Sequence, residues 1–254
     1  MKFEKNKEYV VVEGAKAKAR QAKESCADGF VPQGKVPIAV FDFDRTCIDG
    51  RSPLRLTAHL AKTGKLRPDV IGRMLFWGAA YKLHLPQNES WVRQQVFRPF
   101  VGKPKEQVDQ YLGDFYDSNI EKLFRPEMDA LIRKHRDEGC FVIVVSATFE
   151  PMLLRMMQRH PVHDQISTRM KVDDQGNYTN EVDGLPVEGD QKVASFEAYA
   201  NERFGEGNWE VRYAYSDHYS DRPLLALAEH PVCVNPDTSL SRTAKREGWD
   251  VMEF

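Results

Sequence analysis

The 254-residue sequence contains no run of about 18 apolar residues, so it offers no transmembrane helix. Its four cysteines, Cys26, Cys47, Cys140 and Cys233, make no C-x-x-C pair, and no His or Cys pair stands at zinc-ligand spacing. Cys140 and Cys233 fall in apolar, strand-like runs, where a buried free thiol is expected rather than a disulfide. Neither sign of charge dominates. Lys and Arg total 36 against 38 Asp and Glu, a formal charge of −2, which gives no electrostatic case for nucleic acid or an anionic membrane as the main partner. The opening Met1-Lys2-Phe3-Glu4-Lys5-Asn6 lacks the apolar core of a secretory signal, so a cytoplasmic protein is expected. No internal repeat or low-complexity block is visible. What is present is 41% hydrophobic and 29% charged residues, enough apolar material for a proper core and too much for a wholly disordered chain. The length suits one large α/β domain or a core with an insertion.

Near-continuous apolar runs recur at the start of Val36–Asp44 and at Cys140–Val145, Val211–Tyr215 and Pro231–Asn235. Runs of this kind are what strands buried on both faces look like. Helical patterns separate them: Met128 to His135 closed by Gly139, Pro151 to Gln158, Lys192 to Glu202, and Pro223 to Glu229. The alternation predicts an α/β fold, a Rossmann-like open and mainly parallel sheet with helices on both faces. Residues 36–50 and 126–254 are assigned to this core. Residues 51–125 break the rhythm with helix-type patterning (Leu56, Leu60; Val70, Met74, Trp77; Val108, Tyr111, Leu112) and are expected to form a helical insertion. Its aromatics Phe76, Trp77, Tyr81 and Trp91 are read as insertion core. Alternation around the turn Asp173–Asn177 predicts a small β-hairpin from Thr168–Val172 and Tyr178–Val182. Residues 1–35 form a leader; its helix-favouring stretch Glu13–Ser25 has little apolar face and is expected to be a solvated arm.

In an open parallel sheet, ligands collect beyond the carboxyl ends of the strands. The first strand ends in Asp42-Phe43-Asp44-Arg45-Thr46, and alternation places Asp42 and Asp44 on one side. The second ends in Ser146-Ala147-Thr148, and the third in Ser216-Asp217-His218-Tyr219-Ser220-Asp221. Lys192 lies at a helix start between them. Four converging acids repel one another unless a cation sits among them. An all-oxygen donor set favours a hard divalent ion, and Mg²⁺ fits best because it accepts a few carboxylates and keeps waters and a phosphate oxygen. With a lysine and a hydroxyl nearby, the inventory suits phosphoryl transfer.

These residues resemble the four motifs of the haloacid dehalogenase superfamily in its phosphatase-type members. Asp42-Phe43-Asp44-Arg45-Thr46 matches the D-x-D-x-T first motif, Ser146 the second, Lys192 the third, and Asp217 with Asp221 the fourth. The stretch from Tyr215 to Leu225, the Asn235-Pro236-Asp237 and Gly248-Trp249 segments, the hairpin and the insertion are similar to the phosphoserine-phosphatase-like branch. The resemblance runs from about Pro37 to the C-terminus. It implies that Asp42 attacks phosphorus to form an aspartyl-phosphate and that Asp44 is the acid and then the base. It also implies that Mg²⁺ is held by the Asp42 carboxylate, the Asp44 carbonyl and Asp217, with Asp221 orienting the site from behind. Ser146 and Lys192 would bind the phosphoryl group, Thr46 would steady the loop and support Asp44, and Arg45 would contact substrate or the cap. Residues 51–125 would be the cap that reads the leaving group.

Dehalogenating relatives lack the second aspartate, so Asp44 points to phosphate esters rather than carbon–halogen bonds. P-type ATPases place a lysine after the nucleophile and need membrane spans, whereas Phe43 follows here. Phosphoserine-type members carry a glutamate a few residues past the first motif to hold the amino group. Arg51 stands about there, which argues against phosphoserine itself, and Arg51, Arg55 and Arg73 hint at an additional anionic group on the substrate. The expected activity is hydrolysis of a small phosphorylated metabolite. A phosphotransferase or mutase, a lipid-phosphate phosphatase, and a non-catalytic phosphate-binding module remain as alternatives. His218 is read as a loop residue and Cys47 as a packed thiol. Oligomeric state is not legible.

Overall fold

A computed structural model describes residues 13–20, 34–66 and 96–254. Six strands form one sheet in the order β3-β2-β1-β6-β7-β8, and every neighbouring pair is parallel. They are β1 (Val36–Phe41), β2 (Phe141–Phe149), β3 (Asp164–Thr168), β6 (Trp209–Ser216), β7 (His230–Val234) and β8 (Asp250–Met252). A separate antiparallel hairpin pairs β4 (Met170–Val172) with β5 (Tyr178–Val182), as the sequence predicted, although Thr168 belongs to β3.

The apolar runs are continuous because both faces of the sheet are covered. Along β1, Ala39 and Phe41 enter one cluster while Val36, Ile38 and Val40 enter the other; along β2, Val142 and Val144 oppose Phe141, Ile143 and Val145 in the same way. The parallel crossovers run through helices Pro126–Asp137, Glu150–Met157, Asp190–Phe204 and Thr238–Glu247. Each strand therefore points its carboxyl end to the same side of the molecule.

Strand order fixes the crevice. From β1 the chain proceeds to β2 and β3 on one side, and β6, β7 and β8 extend the other, so the switch point falls between β1 and β6. Where described, residues between β1 and helix Pro126–Asp137 are helical or looped. They include helix Ser52–Lys62, helix Lys105–Phe115, and the short turns Arg98–Phe100, Tyr116–Ile120 and Glu121–Leu123. Arg73 and the aromatics Phe76, Trp77, Tyr81 and Trp91 lie outside the described residues, as does Cys26. Among the described residues, no helix is long and apolar enough to cross a membrane.

The leader departs from the solvated arm expected of it. Residues 13–20 form a helix whose Ala15 and Ala19 are buried in the core beneath β3. Lys18 Nζ donates to the Gln165 carbonyl at 2.5 Å and lies 3.2 Å from Asp164, and Arg20 pairs with Glu202. Two alanines make a narrow apolar face, but a flat helix side close to an edge strand needs no more than that to dock. Cys47, Cys140 and Cys233 are buried free thiols.

Candidate active site

Phe41 closes β1, and the next residue keeps one ladder bond, Asp42 N–H donating to the Tyr215 carbonyl at 2.9 Å. The chain then turns sharply. Arg45 has a left-handed φ of 63°, unusual for a residue with a side chain, and its N–H donates to the Gly50 carbonyl at 2.9 Å. Ile48 N–H bonds the Phe43 carbonyl and Arg125 N–H the Cys47 carbonyl, so the loop 42–50 is stapled to itself and to the segment before helix Pro126–Asp137. Non-glycine positive φ at such a place is a cost the surroundings must sustain, and such costs cluster at functional sites.

Asp42, Lys192, Asp217 and Asp221 come together at the β1/β6 switch point, all less than 7% exposed. Lys192 Nζ donates to Asp42 Oδ1 and to Asp221 Oδ2, each at 2.6 Å. Asp221 Oδ2 also accepts from Ser216 Oγ at 2.6 Å. Lys192 sits in the first turn of helix Asp190–Phe204, where the helix dipole disfavours a cation; the two carboxylates hold it there. Burial opposes its charge, but Asp221 and Asp42 outweigh burial and raise its pKa. The Thr46 hydroxyl lies 3.4 Å from Asp42 Oδ2, so its contact is with Asp42 rather than with Asp44.

Asp44 has different partners. Ser52 N–H donates to its Oδ1 at 2.5 Å, and Ser52 Oγ and Thr148 Oγ1 donate to its Oδ2 at 3.1 and 2.9 Å. Burial raises the Asp44 pKa while these donors pull it down. Ser52 opens helix Ser52–Lys62, and Thr148 lies beside a bulge that interrupts the β2–β3 register after Ser146. Ser146 itself is 1% exposed, and its Oγ accepts from Thr148 N–H at 3.2 Å. Neither Ser52 nor Thr148 was singled out from the sequence as holding Asp44. A Ser-Pro helix start eight residues downstream was the available signal.

Asp217 leads the loop after β6. Arg45 Nε stands 2.7 Å from its Oδ2, and Arg45 Nη2 approaches the Asn235 carbonyl at 3.4 Å. Asp237 braces the same loop, accepting from Tyr219 N–H on one oxygen and from Ser239 and Leu240 N–H on the other, all at 2.8 Å. The half-exposed His218 meets Ser220 Oγ at 2.9 Å and Asp237 at 3.6 Å. Cys47 Sγ donates to the Asp42 carbonyl at 3.1 Å, and burial, with Asp42 and Asp44 nearby, pushes its pKa well up, so it is no ready nucleophile.

The donor chemistry fits a divalent cation. Asp42, Asp44, Asp217 and Asp221 face two cations, Lys192 and Arg45, leaving two acids in excess. Burial pushes Asp42 up to about 8, with Asp221 and Asp217 adding to the shift and Lys192 opposing it. Among the described residues no three His, Cys, Asp or Glu side chains form a ready-made cage. Mg²⁺ does not need one, since it commonly binds through one or two carboxylates and retains waters.

Residues 39–226 match the family model of the haloacid dehalogenase-like hydrolases. A histidinol-phosphatase of Neisseria meningitidis is 28% identical over 231 residues, covering 85% of this chain and 98% of that protein. A phosphoserine phosphatase of Mycobacterium tuberculosis is 27% identical over 221 residues, 85% of this chain and 70% of the other. A crystal structure of a Bordetella pertussis protein of unknown function superposes with a TM-score of 0.75 at 22% identity, over 86% of this chain and 98% of that one. A substrate-bound phosphoserine phosphatase superposes with a TM-score of 0.56 at 17% identity, over 86% and 93%. At these identities the solved structures establish the fold.

Proposed function

The chain belongs to the haloacid dehalogenase-like hydrolases, among their phosphatases, and from that membership we propose that it hydrolyses a small phosphomonoester through an aspartyl-phosphate on Asp42. The observation that carries this reading is the division of labour between two aspartates, Asp42 and Asp44. Asp42 is gripped by Lys192 and faces the excess of acids, while Asp44 is held apart by Ser52 and Thr148.

In this reading Asp42 attacks phosphorus and the bond to the ester oxygen breaks. Asp44 gives its proton to the departing alcohol and then takes one from the water that cleaves the acyl phosphate. Burial shifts the Asp44 pKa upward, the direction that suits an acid. Lys192 neutralises Asp42 and the phosphoryl oxygens, and the Ser146 hydroxyl donates to one of those oxygens. Asp42, the Asp44 main-chain carbonyl and Asp217 would hold Mg²⁺, which when bound offsets the charge of the acids and of the phosphoryl group. Asp221 fixes Lys192 rather than touching the reacting atoms. Residues 51–125 act as the cap: Ser52, at the start of its first helix, already reaches Asp44. Closure over the site excludes water and reads the leaving group.

The test is a panel of phosphorylated metabolites assayed with Mg²⁺. Turnover is expected, silenced by EDTA, restored by Mg²⁺, and abolished in a well-folded Asp42→Asn variant. Undiminished steady-state hydrolysis in that variant would remove Asp42 as the nucleophile.

A further inference from the structure

Beside the 42–50 loop opens a cavity of about 550 Å³ whose walls include Arg45, Arg51, Arg55, Arg125 and Asp49. Two of the arginines are already neutralised. Arg125 Nη2 donates to Asp49 Oδ1 at 3.0 Å, and Arg45 pairs with Asp217. Among the described residues, no carboxylate lies within ion-pair distance of Arg51 or Arg55. Among the described residues of its wall, Arg51 and Arg55 are therefore the two guanidinium groups without an ion-pair partner.

Gly50 is part of its wall. A Cβ there would stand 3.3 Å from Leu123 Cδ1 and 3.9 Å from Arg55 Nε, and the backbone at Gly50 has no left-handed φ that would itself demand glycine. The cavity also borders the reacting centre. Arg51 directly precedes Ser52, which holds Asp44, and Arg45 joins the cavity wall to Asp217. Through Ser52, Asp44 is thus held one residue along the chain from Arg51 on the cavity wall.

Resting on the phosphatase reading above, we propose that the substrate's leaving group carries a second phosphoryl group, bound by Arg51 and Arg55. A phosphate monoester carries close to two negative charges at neutral pH, matching the two free guanidinium groups, and guanidinium binds phosphate oxygens in a bidentate fashion. A carboxylate supplies one charge. A cationic leaving group, such as the one a histidinol ester presents, is repelled.

The test uses the Mg²⁺-loaded full chain and five esters: propane-1,3-diol bisphosphate, its monophosphate, 3-phosphoglycerate, histidinol phosphate and p-nitrophenyl phosphate. The expected result is a kcat/KM for the bisphosphate about tenfold or more above the monophosphate, falling with ionic strength. In an Arg51→Gln/Arg55→Gln double variant this ratio is expected to collapse to within about twofold. Because the ratio is measured within each protein, a poorly folded variant does not imitate that collapse, and the wild-type ratio stands as an independent check. A bisphosphate no better than the monophosphate, a carboxylate ester equal to the bisphosphate, or a preference for histidinol phosphate would each overturn the proposal. Failure to hydrolyse any of the five, including p-nitrophenyl phosphate, whose leaving group carries no ionic substituent, would instead remove the phosphatase reading itself.

Discussion

Lys192→Met tests how the buried charges are balanced. Lys192 Nζ lies 2.6 Å from Asp42 Oδ1 and from Asp221 Oδ2, and all three residues are almost wholly buried. Methionine fills the same space without charge, leaving two carboxylates facing each other with the Ser216, Ser220 and Thr46 hydroxyls as their side-chain donors among the described residues. Breaking a buried pair in this way typically costs about 3–5 kcal/mol, because the remaining charge is stranded. The cost depends on pH. Asp42 is already pushed up to about 8, and loss of the lysine raises it further. A carboxyl whose folded pKa exceeds its unfolded one binds more protons when folded, so stability falls as pH rises. Urea unfolding of wild type and variant in EDTA should therefore show about 3–5 kcal/mol of destabilisation at pH 8.5 and less than half of it at pH 6. A Lys192→Met/Asp221→Asn double variant should recover part of the loss. A difference below about 1 kcal/mol at pH 8.5, or one independent of pH, would refute this charge balance.

Two further outcomes follow from named contacts. His163 is buried and accepts from the Val142 N–H at Nδ1, and burial, aided by the nearby Arg136 and Arg203, lowers its pKa to about 4. The unfolded chain binds a proton near 6.5, so up to about 3 kcal/mol of stability is lost as pH falls from 6.5 through 4; unfolding curves that run parallel for wild type and His163→Asn across that window would contradict it. Thr148→Val removes one of the donors to ionised Asp44, so the basic limb of the kcat/KM profile should move to higher pH with about a tenfold loss of kcat. An unmoved limb would mean that Thr148 does not act through Asp44.

Much of the catalytic face is legible because strands buried on both sides write themselves as unbroken apolar runs. The polar residue that ends each run then marks the sheet's carboxyl edge, as Asp42, Ser146 and Asp217 do. The edge strands were not legible. Asp-Gln-Ile-Ser-Thr of β3 and Asp-Val-Met of β8 carry little apolar signal and are strands by virtue of their neighbours' ladders. In β3, Asp164 is also satisfied from a distance, by Lys18 and by the Tyr199 hydroxyl at 2.6 Å. The helix Thr238–Glu247 hid for another reason: its mean character is polar, and only Leu240, Thr243 and Ala244 are buried. Ser52 escaped because it reaches Asp44 only after the chain turns back through the left-handed Arg45, and Thr148 because it meets Asp44 from another strand, 104 residues away, beside the bulge in β2. A turn of that kind is not encoded by an arginine in any way that sequence patterns reveal. The same turn explains why Thr46 meets Asp42, since beyond Phe41 the simple alternation of a strand no longer holds.

The claim that Asp42 carries the phosphoryl group is tested most directly by trapping. Protein quenched during Mg²⁺-dependent turnover and reduced with borohydride should yield homoserine at position 42, located by peptide mass spectrometry, because an acyl phosphate is reduced where a free carboxylate is not. Homoserine at another aspartate, or none anywhere while product accumulates, would contradict the account.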